Sequence, residues 1–163
     1  MIRNASIDDA KSLQAIYAPY VLKTAITFDY QVPSITAFEK RIVTISERFP
    51  FLVYEEDGHV LGYAYASPYK ERAAYDWSSE VSIYLDEAVR GRGIGTKLYD
   101  TLEQGLAQRG FKNCLACITY PNEASENFHH KRGYQKVAHF PEIGYKFDQW
   151  HDIIWMQKQL NSV

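Results

Sequence analysis

The sequence has two cysteines among 163 residues, no apolar run long enough to cross a bilayer, and no surplus of charge of either sign. Each shortage removes a class of function. Cys114 and Cys117 form a Cys-x-x-Cys, but there is no second pair and no histidine at zinc-finger spacing. They fall in Asn113-Cys114-Leu115-Ala116-Cys117-Ile118-Thr119, which reads as a buried strand, where an offset of three sends side chains to opposite faces. Packed, reduced thiols and no metal are expected. With 18 Lys and Arg against 20 Asp and Glu the formal charge is -2, so no general attraction draws the chain to nucleic acid or an anionic membrane. Any anion must be bound locally. No window holds the roughly 18 apolar residues of a membrane span, and Met1-Ile2-Arg3-Asn4 lacks the basic-then-apolar order of a signal peptide. A cytoplasmic protein with a small-molecule partner is expected.

What is present suffices for one core. Hydrophobic residues make up 46% of a chain whose length fits one ordinary domain, 1–163, with no repeat or linker. Ile2-Arg3-Asn4-Ala5 reads as a first strand, and Ser6-x-x-Asp9 as a capping box opening a helix with Ala10, Leu13, Ile16 and Tyr17 on one face, closed by Pro19. A second helix is expected from Thr36-x-x-Glu39, carrying Phe38, Ile42, Ile45 and Phe49 and stopping before Pro50. Residues 51–56 and 59–65 flank Asp57-Gly58, a strong hairpin signal. After a basic, aromatic loop from Ser67 to Ser79, Glu80 to Leu85 alternates as a strand. Ile94, Leu98, Leu102 and Leu106 mark a helix that Gly110 ends. Strand, helix and the Cys114 strand imply a parallel crossover. A short helix from about Ala124 to Arg132 and a last strand from His151 to Lys158 complete the reading.

The most informative segment lies between a strand and a helix: Arg90-Gly91-Arg92-Gly93-Ile94-Gly95-Thr96. Glycines let backbone approach a ligand closely, and a helix start offers unpaired N–H groups and the positive end of the dipole, so a phosphate fits there. Thr at 96 breaks the Gly-x-Gly-x-x-Gly of a dinucleotide fold, and no Gly-Lys-Ser/Thr follows as in a P-loop. From the turn alone, a glycine-rich turn with two solvated arginines also stands.

Arg90-x-x-Gly93-x-Gly95 after an alternating strand resembles the acetyl-coenzyme A signature of the GNAT superfamily of N-acetyltransferases. Asn122-Glu123-Ala124-Ser125-Glu126-Asn127-Phe128-His129 with Gly133-Tyr134 looks like the second motif of that superfamily. Pro68 to Glu80, Tyr120-Pro121-Asn122 and Trp150-His151-Asp152 together look like its phosphinothricin and methionine sulfoximine (sulfone) acetyltransferase subfamily. The resemblance covers nearly the whole chain. It implies an α/β (α+β) fold with a mixed, strongly twisted sheet of six to seven strands, splayed between the fourth and fifth, with helices on both faces. It also implies acetyl-coenzyme A as cosubstrate, a small amino-acid-like amine as acceptor, and a homodimer.

The same resemblance distributes roles. Ile83, Tyr84 and Leu85 would line up the pantetheine arm through their backbone, and Gly91, Gly93, Ile94, Gly95 and Thr96 would hold the pyrophosphate with Arg90 or Arg92 adding charge. Asn122 would bond the arm. Glu80 matches the glutamate that takes the amine proton. His129 stands where much of the superfamily has a tyrosine, and whether it acts as acid, as base or on the substrate stays open. An acceptor carboxylate asks for an arginine fork and further donors, which Lys70, Arg72 and Tyr75 could supply. Phe28, Trp77 and Tyr120 are candidate pocket walls, and Trp150, His151 and Asp152 receive no chemistry. A protein N-terminus or lysine as acceptor, and a coenzyme-A-binding module without turnover, remain as alternatives.

Overall fold

The computed structural model describes residues 1–160. In chain order the elements are β1 (Ile2–Asn4), α1 (Ala10–Lys23), α2 (Ile35–Ser46), β2 (Phe51–Glu56), β3 (His59–Pro68), β4 (Ser78–Leu85), α3 (Ile94–Gln108), β5 (Asn113–Tyr120), α4 (Glu123–Lys131), β6 (Gln135–Lys146) and β7 (Gln149–Gln159). The strands form one sheet in the order β1-β2-β3-β4-β5-β7-β6. All neighbours are antiparallel except β4 and β5, which α3 connects as a parallel crossover.

Strand alternation sorts the core onto two faces. On one, α1 and α2 bury Leu13, Ile16, Tyr17, Phe38 and Ile42 against Phe51, Val53 and Tyr63. On the other, α3 lays Ile94, Leu98, Leu102 and Leu106 over Ala64, Ala66, Val81, Cys114, Ala116 and Ile118. The Asp57-Gly58 turn forms with both residues at positive φ, 52° and 79°, which is the twist a two-residue hairpin requires.

Several boundaries differ from the sequence reading. Pro19 does not close α1, which continues to Lys23 with Tyr20 and Val21 buried. Packing of that last turn outweighs the hydrogen bond the proline removes. The box at Thr36 and Glu39 is not used: Ser34 caps α2, its Oγ accepting from Ala37 N at 3.0 Å, and the helix ends at Ser46. Strand β6 escaped the sequence because its pattern is broken. Its register slips twice, Glu142 takes φ 46°, and Pro141 sits on an edge strand where no ladder partner is needed. Asp152 clamps that irregularity, accepting from Glu142 N at 2.7 Å and lying 2.8 Å from His139 Nε2. His151 Nε2 donates to the Lys146 carbonyl across the β6–β7 turn, and Trp150 packs on Tyr145. These contacts give the Trp-His-Asp segment a structural role.

Leu98 is wholly buried beneath β3 and β4. Leu98→Ala is expected to lower stability by about 2–5 kcal/mol, read from the urea midpoint at unchanged slope, because the void cannot collapse against a sheet.

Candidate active site

Strand β4 pairs with β3 along its whole length but with β5 over three residue pairs only, Ser78 with Asn113, Ser79 with Cys114 and Glu80 with Leu115. Beyond Glu80 the two strands part. The gap is a cleft of about 240 Å³. Asp86 N–H donates to the Leu61 carbonyl at 2.9 Å, so even-numbered residues of β4 spend their backbone on β3. Alternation then turns the N–H and C=O of Val81, Ile83 and Leu85 toward the gap. Tyr84 has no backbone group to offer there and contributes its ring to the wall instead. The Leu85 carbonyl is taken by the Tyr20 hydroxyl at 2.6 Å.

Side chains enter the cleft from both faces of the sheet. Glu80, Cys117 and Thr119 share the α1/α2 side, whereas Tyr99 comes from α3 and Asn122, Ser125 and His129 from the start and body of α4. Desolvation alone shifts the Glu80 carboxyl, and it shifts it upward. Among the described residues no cation holds it ionised. His129 is 4% exposed. Burial holds its imidazole below the ordinary range, so it is neutral at pH 7. Asn122 caps α4 with its side-chain oxygen on Ser125 N at 3.2 Å and faces the cleft. Cys114 is packed as expected, but Cys117 is not: it opens onto the cleft, whose walls still push its thiol up to about 12.

Past the end of β4 lies the glycine turn, with Gly95 beside Ile83 and Phe128. Gly91 and Gly93 adopt φ 82° and 76°, and a Cβ on either would meet nothing within 4 Å, so the backbone is bare on its outer side. The first bond inside α3 runs from Lys97 N to Gly93 O at 3.2 Å, which leaves the N–H groups of Ile94, Gly95 and Thr96 ahead of the ladder. A diphosphate fits such a cradle. Arg90 lies over the Tyr20 ring at 5.9 Å. Arg92 is paired with both carboxylate oxygens of Glu56, at 2.9 and 2.8 Å, in an exposed bridge that an incoming phosphate can compete for.

Of the expected pocket walls, Phe28 lines the cleft. Its ring lies against Gly144, where a Cβ would collide with it. Lys146, buried on β6, holds the adjoining Thr27 carbonyl at 2.8 Å. Lys70, Arg72 and Tyr75 lie outside the cleft, around a separate hollow. Their loop leans on β7 through Tyr69, whose ring meets Trp155 edge-on at 5.6 Å, and Trp155 is the cross-strand partner of Cys117. Trp77 sits at the other end of β4 beside Arg48, Arg109 and Phe111. Tyr120 turns to the opposite face, against His139. Tyr99, Ser125, Cys117 and Thr27 were not expected in the cleft. Tyr99 follows Leu98 in an apolar helix and reads as core, and the only signal for Thr27 was its neighbour Phe28.

The glycine turn, the splay and the α4 motif occur in one arrangement, and an acetyltransferase (GNAT) domain matches residues 2–155. The chain belongs to the GNAT acetyltransferase family. This acetyltransferase is similar to a phosphinothricin N-acetyltransferase of Streptomyces coelicolor, 34% identical over 173 positions that cover 98% of this chain and 95% of that one. An L-methionine sulfoximine/L-methionine sulfone acetyltransferase of Salmonella typhimurium is 32% identical over 99% of this chain and 95% of its own length. A crystal structure of a phosphinothricin acetyltransferase from Sinorhizobium meliloti in complex with acetyl-coenzyme A superposes with a TM-score of 0.94 at 33% identity, covering 99% of this chain and 88% of that one. The sheet, splayed between its fourth and fifth strands, is therefore the family fold.

Glu80 carries a stability signature. Its carboxyl titrates above the ordinary value near 4.5, so the folded state binds the proton more tightly than the unfolded chain does. Stability from this group is full below the ordinary value and is lost as pH rises through the raised one. Glu80→Gln is therefore expected to raise the melting temperature at pH 7 to 8, with the gain vanishing toward pH 4. A gain independent of pH would contradict the desolvation.

Proposed function

We propose that this acetyltransferase moves the acetyl group of acetyl-coenzyme A to the primary amine of a small amino-acid-like acceptor of the phosphinothricin, methionine sulfoximine or methionine sulfone type. The observation that carries the reading is Glu80, a desolvated carboxylate without a cationic partner at the point where β4 leaves β5. It stands beside a strand edge on which Ile83 and the Leu85 N–H have no ladder partner.

Acetyl-coenzyme A supplies an activated thioester, and the chain's own residues do the rest. The amides of Gly91 to Thr96 receive the diphosphate at the start of α3. The free edge of Ile83 and Leu85 takes the pantetheine arm as an added strand, with Asn122 on its other side, and their N–H groups face the thioester oxygen as charge gathers on it. A primary ammonium must lose a proton before it can attack, and Glu80 accepts it, directly or through one water. A carboxylate whose affinity for protons is raised by desolvation is better matched to this task than a solvated one. Phe28 and Tyr84 confine the acceptor. Lys70 and Arg72, one loop away and outside the cleft, draw its anionic end by their charge rather than by contact.

We further propose a homodimer in the cytoplasm. Phe140, Ile143, Tyr145, Phe147 and Trp150 are all more than two-fifths exposed along β6, β7 and their turn, an apolar edge of the kind that pairs. The two unpaired thiols suit a reducing compartment. Sedimentation equilibrium should give twice the chain mass, and Trp150→Asp with Phe140→Asp should shift it to the monomer.

The functional test is thiol release from acetyl-coenzyme A with a panel of methionine sulfone, methionine sulfoximine, phosphinothricin, ordinary amino acids and peptides beginning with alanine or carrying lysine. Turnover with the sulfone or sulfoximine compounds is expected, and Glu80→Gln should lower kcat by about 100- to 10,000-fold while coenzyme affinity holds. Turnover with peptides alone would move the acceptor to protein. Coenzyme binding without turnover on any amine would leave a binding module.

A further inference from the structure

The role of His129 follows from what its two nitrogens touch. Nδ1 lies 2.7 Å from the Ser125 carbonyl, one helical turn back. A carbonyl oxygen only accepts, so Nδ1 carries the hydrogen. The ring is buried and neutral, which leaves Nε2 with a bare lone pair, and 3.0 Å away stands the Tyr99 hydroxyl. That hydroxyl is therefore the donor. We propose that Tyr99 is a positioning residue: its hydroxyl, donated to Nε2, holds the His129 imidazole uncharged, in one tautomer and in one orientation at the floor of the cleft.

The surroundings leave Tyr99 this role and few others. Its ring is 1% exposed, clasped by Phe128 at 5.4 Å and Tyr134 at 6.1 Å, with the Arg132 guanidinium 5.5 Å over it. It sits next to the aliphatic stripe of α3, where phenylalanine or leucine would fill the space without a hydroxyl to satisfy. The nearby charges are committed elsewhere. Glu103 of α3 accepts from Arg132, from Lys158 of β7 and from the Tyr134 hydroxyl at 2.9, 2.7 and 2.8 Å. Arg132 and His130, past and at the end of α4, act on the imidazole only at a distance.

Both nitrogens are thus spent. His129 cannot take the ammonium proton without first giving up the Tyr99 bond, and its one N–H is held by the Ser125 carbonyl. The open choice between acid and base narrows, and Glu80 is left as the proton acceptor. A donor on Nε2 favours the neutral ring, so removing it makes the ring easier to protonate.

The inference rests on the acetyltransferase reading only in its kinetic arm. In wild-type protein, nitrogen NMR should show a protonated Nδ1 and a bare Nε2 for His129. Tyr99→Phe should raise the His129 titration midpoint by about half a pH unit. Because an imidazole free to turn no longer gives the acceptor a fixed, uncharged wall in the cleft it shares with Glu80, Tyr99→Phe should also lower kcat at pH 7 by about tenfold while the KM for acetyl-coenzyme A changes less than about twofold. Tyr134→Phe is the control, since it removes a buried hydroxyl from a ring packed 5.1 Å from the same imidazole without touching its nitrogens. It should leave the His129 midpoint in place. A wild-type Nε2 that carries the proton overturns the proposal whether or not Tyr99→Phe folds, as does a midpoint unmoved by Tyr99→Phe or moved equally by Tyr134→Phe. If no amine is acetylated but the tautomer and the midpoint shift are found, the functional reading fails and the placement of His129 stands.

Discussion

Parallel pairing between β4 and β5 stops after three residue pairs, and the site depends on that early parting. A closed sheet would spend the Val81 C=O, both backbone groups of Ile83 and the Leu85 N–H on ladder hydrogen bonds. It would also keep Glu80 and His129 on opposite sides of a continuous layer. Because the strands diverge, the backbone of β4 presents a free edge, and side chains from both faces reach one cleft. The edge is tolerable in a folded protein because it lies inside a gap rather than along the rim of the molecule.

Holding the gap open requires firm support on each side. On one side, Tyr84 meets Tyr17 and Tyr20 edge to face and Tyr63 at a tilt beneath α1, and the Tyr20 hydroxyl ties that helix to the end of β4 through Leu85. On the other, buried Glu103 gathers Arg132, Lys158 and Tyr134, joining α3, the end of α4 and β7. Such a group is stable only when its hydrogen-bonding capacity is met, and here three donors meet it. Through Arg132 and Lys158 the network ties the end of α4 to α3 and β7.

The cleft itself contains no arginine or lysine among its lining residues. Its ionisable groups are left to desolvation, which drives the carboxylate up and the imidazole down and makes both easier to hold neutral. Past the end of β4, the glycine amides and the start of α3 offer positive partial charge without side chains. The basic loop at Lys70 and Arg72 sits one aromatic contact away, on Tyr69 and Trp155. Reaction chemistry and anion binding are thus kept in different dielectric surroundings.

The local grammar of the chain was enough to find the Asp57-Gly58 hairpin, the α3 stripe, the glycine turn and the Asn122 helix start. Each is set by residues within a few positions of one another, where glycine φ, capping and apolar period act directly. The subfamily resemblance that includes Pro68 to Glu80 named Glu80, and the motif opened by Asn122 contains His129. Tertiary structure decided what local signals cannot carry: that α1 runs through Pro19, that β6 is a strand despite Pro141 and two register slips, and that Cys117 faces the cleft while Tyr120 faces away. It also decided that the tyrosine of an apolar helix reaches a histidine thirty residues later. The reason is common to all four. The energy that settles them comes from burial and pairing between elements distant in sequence, and a side chain's partner across a sheet is fixed only when register and splay exist.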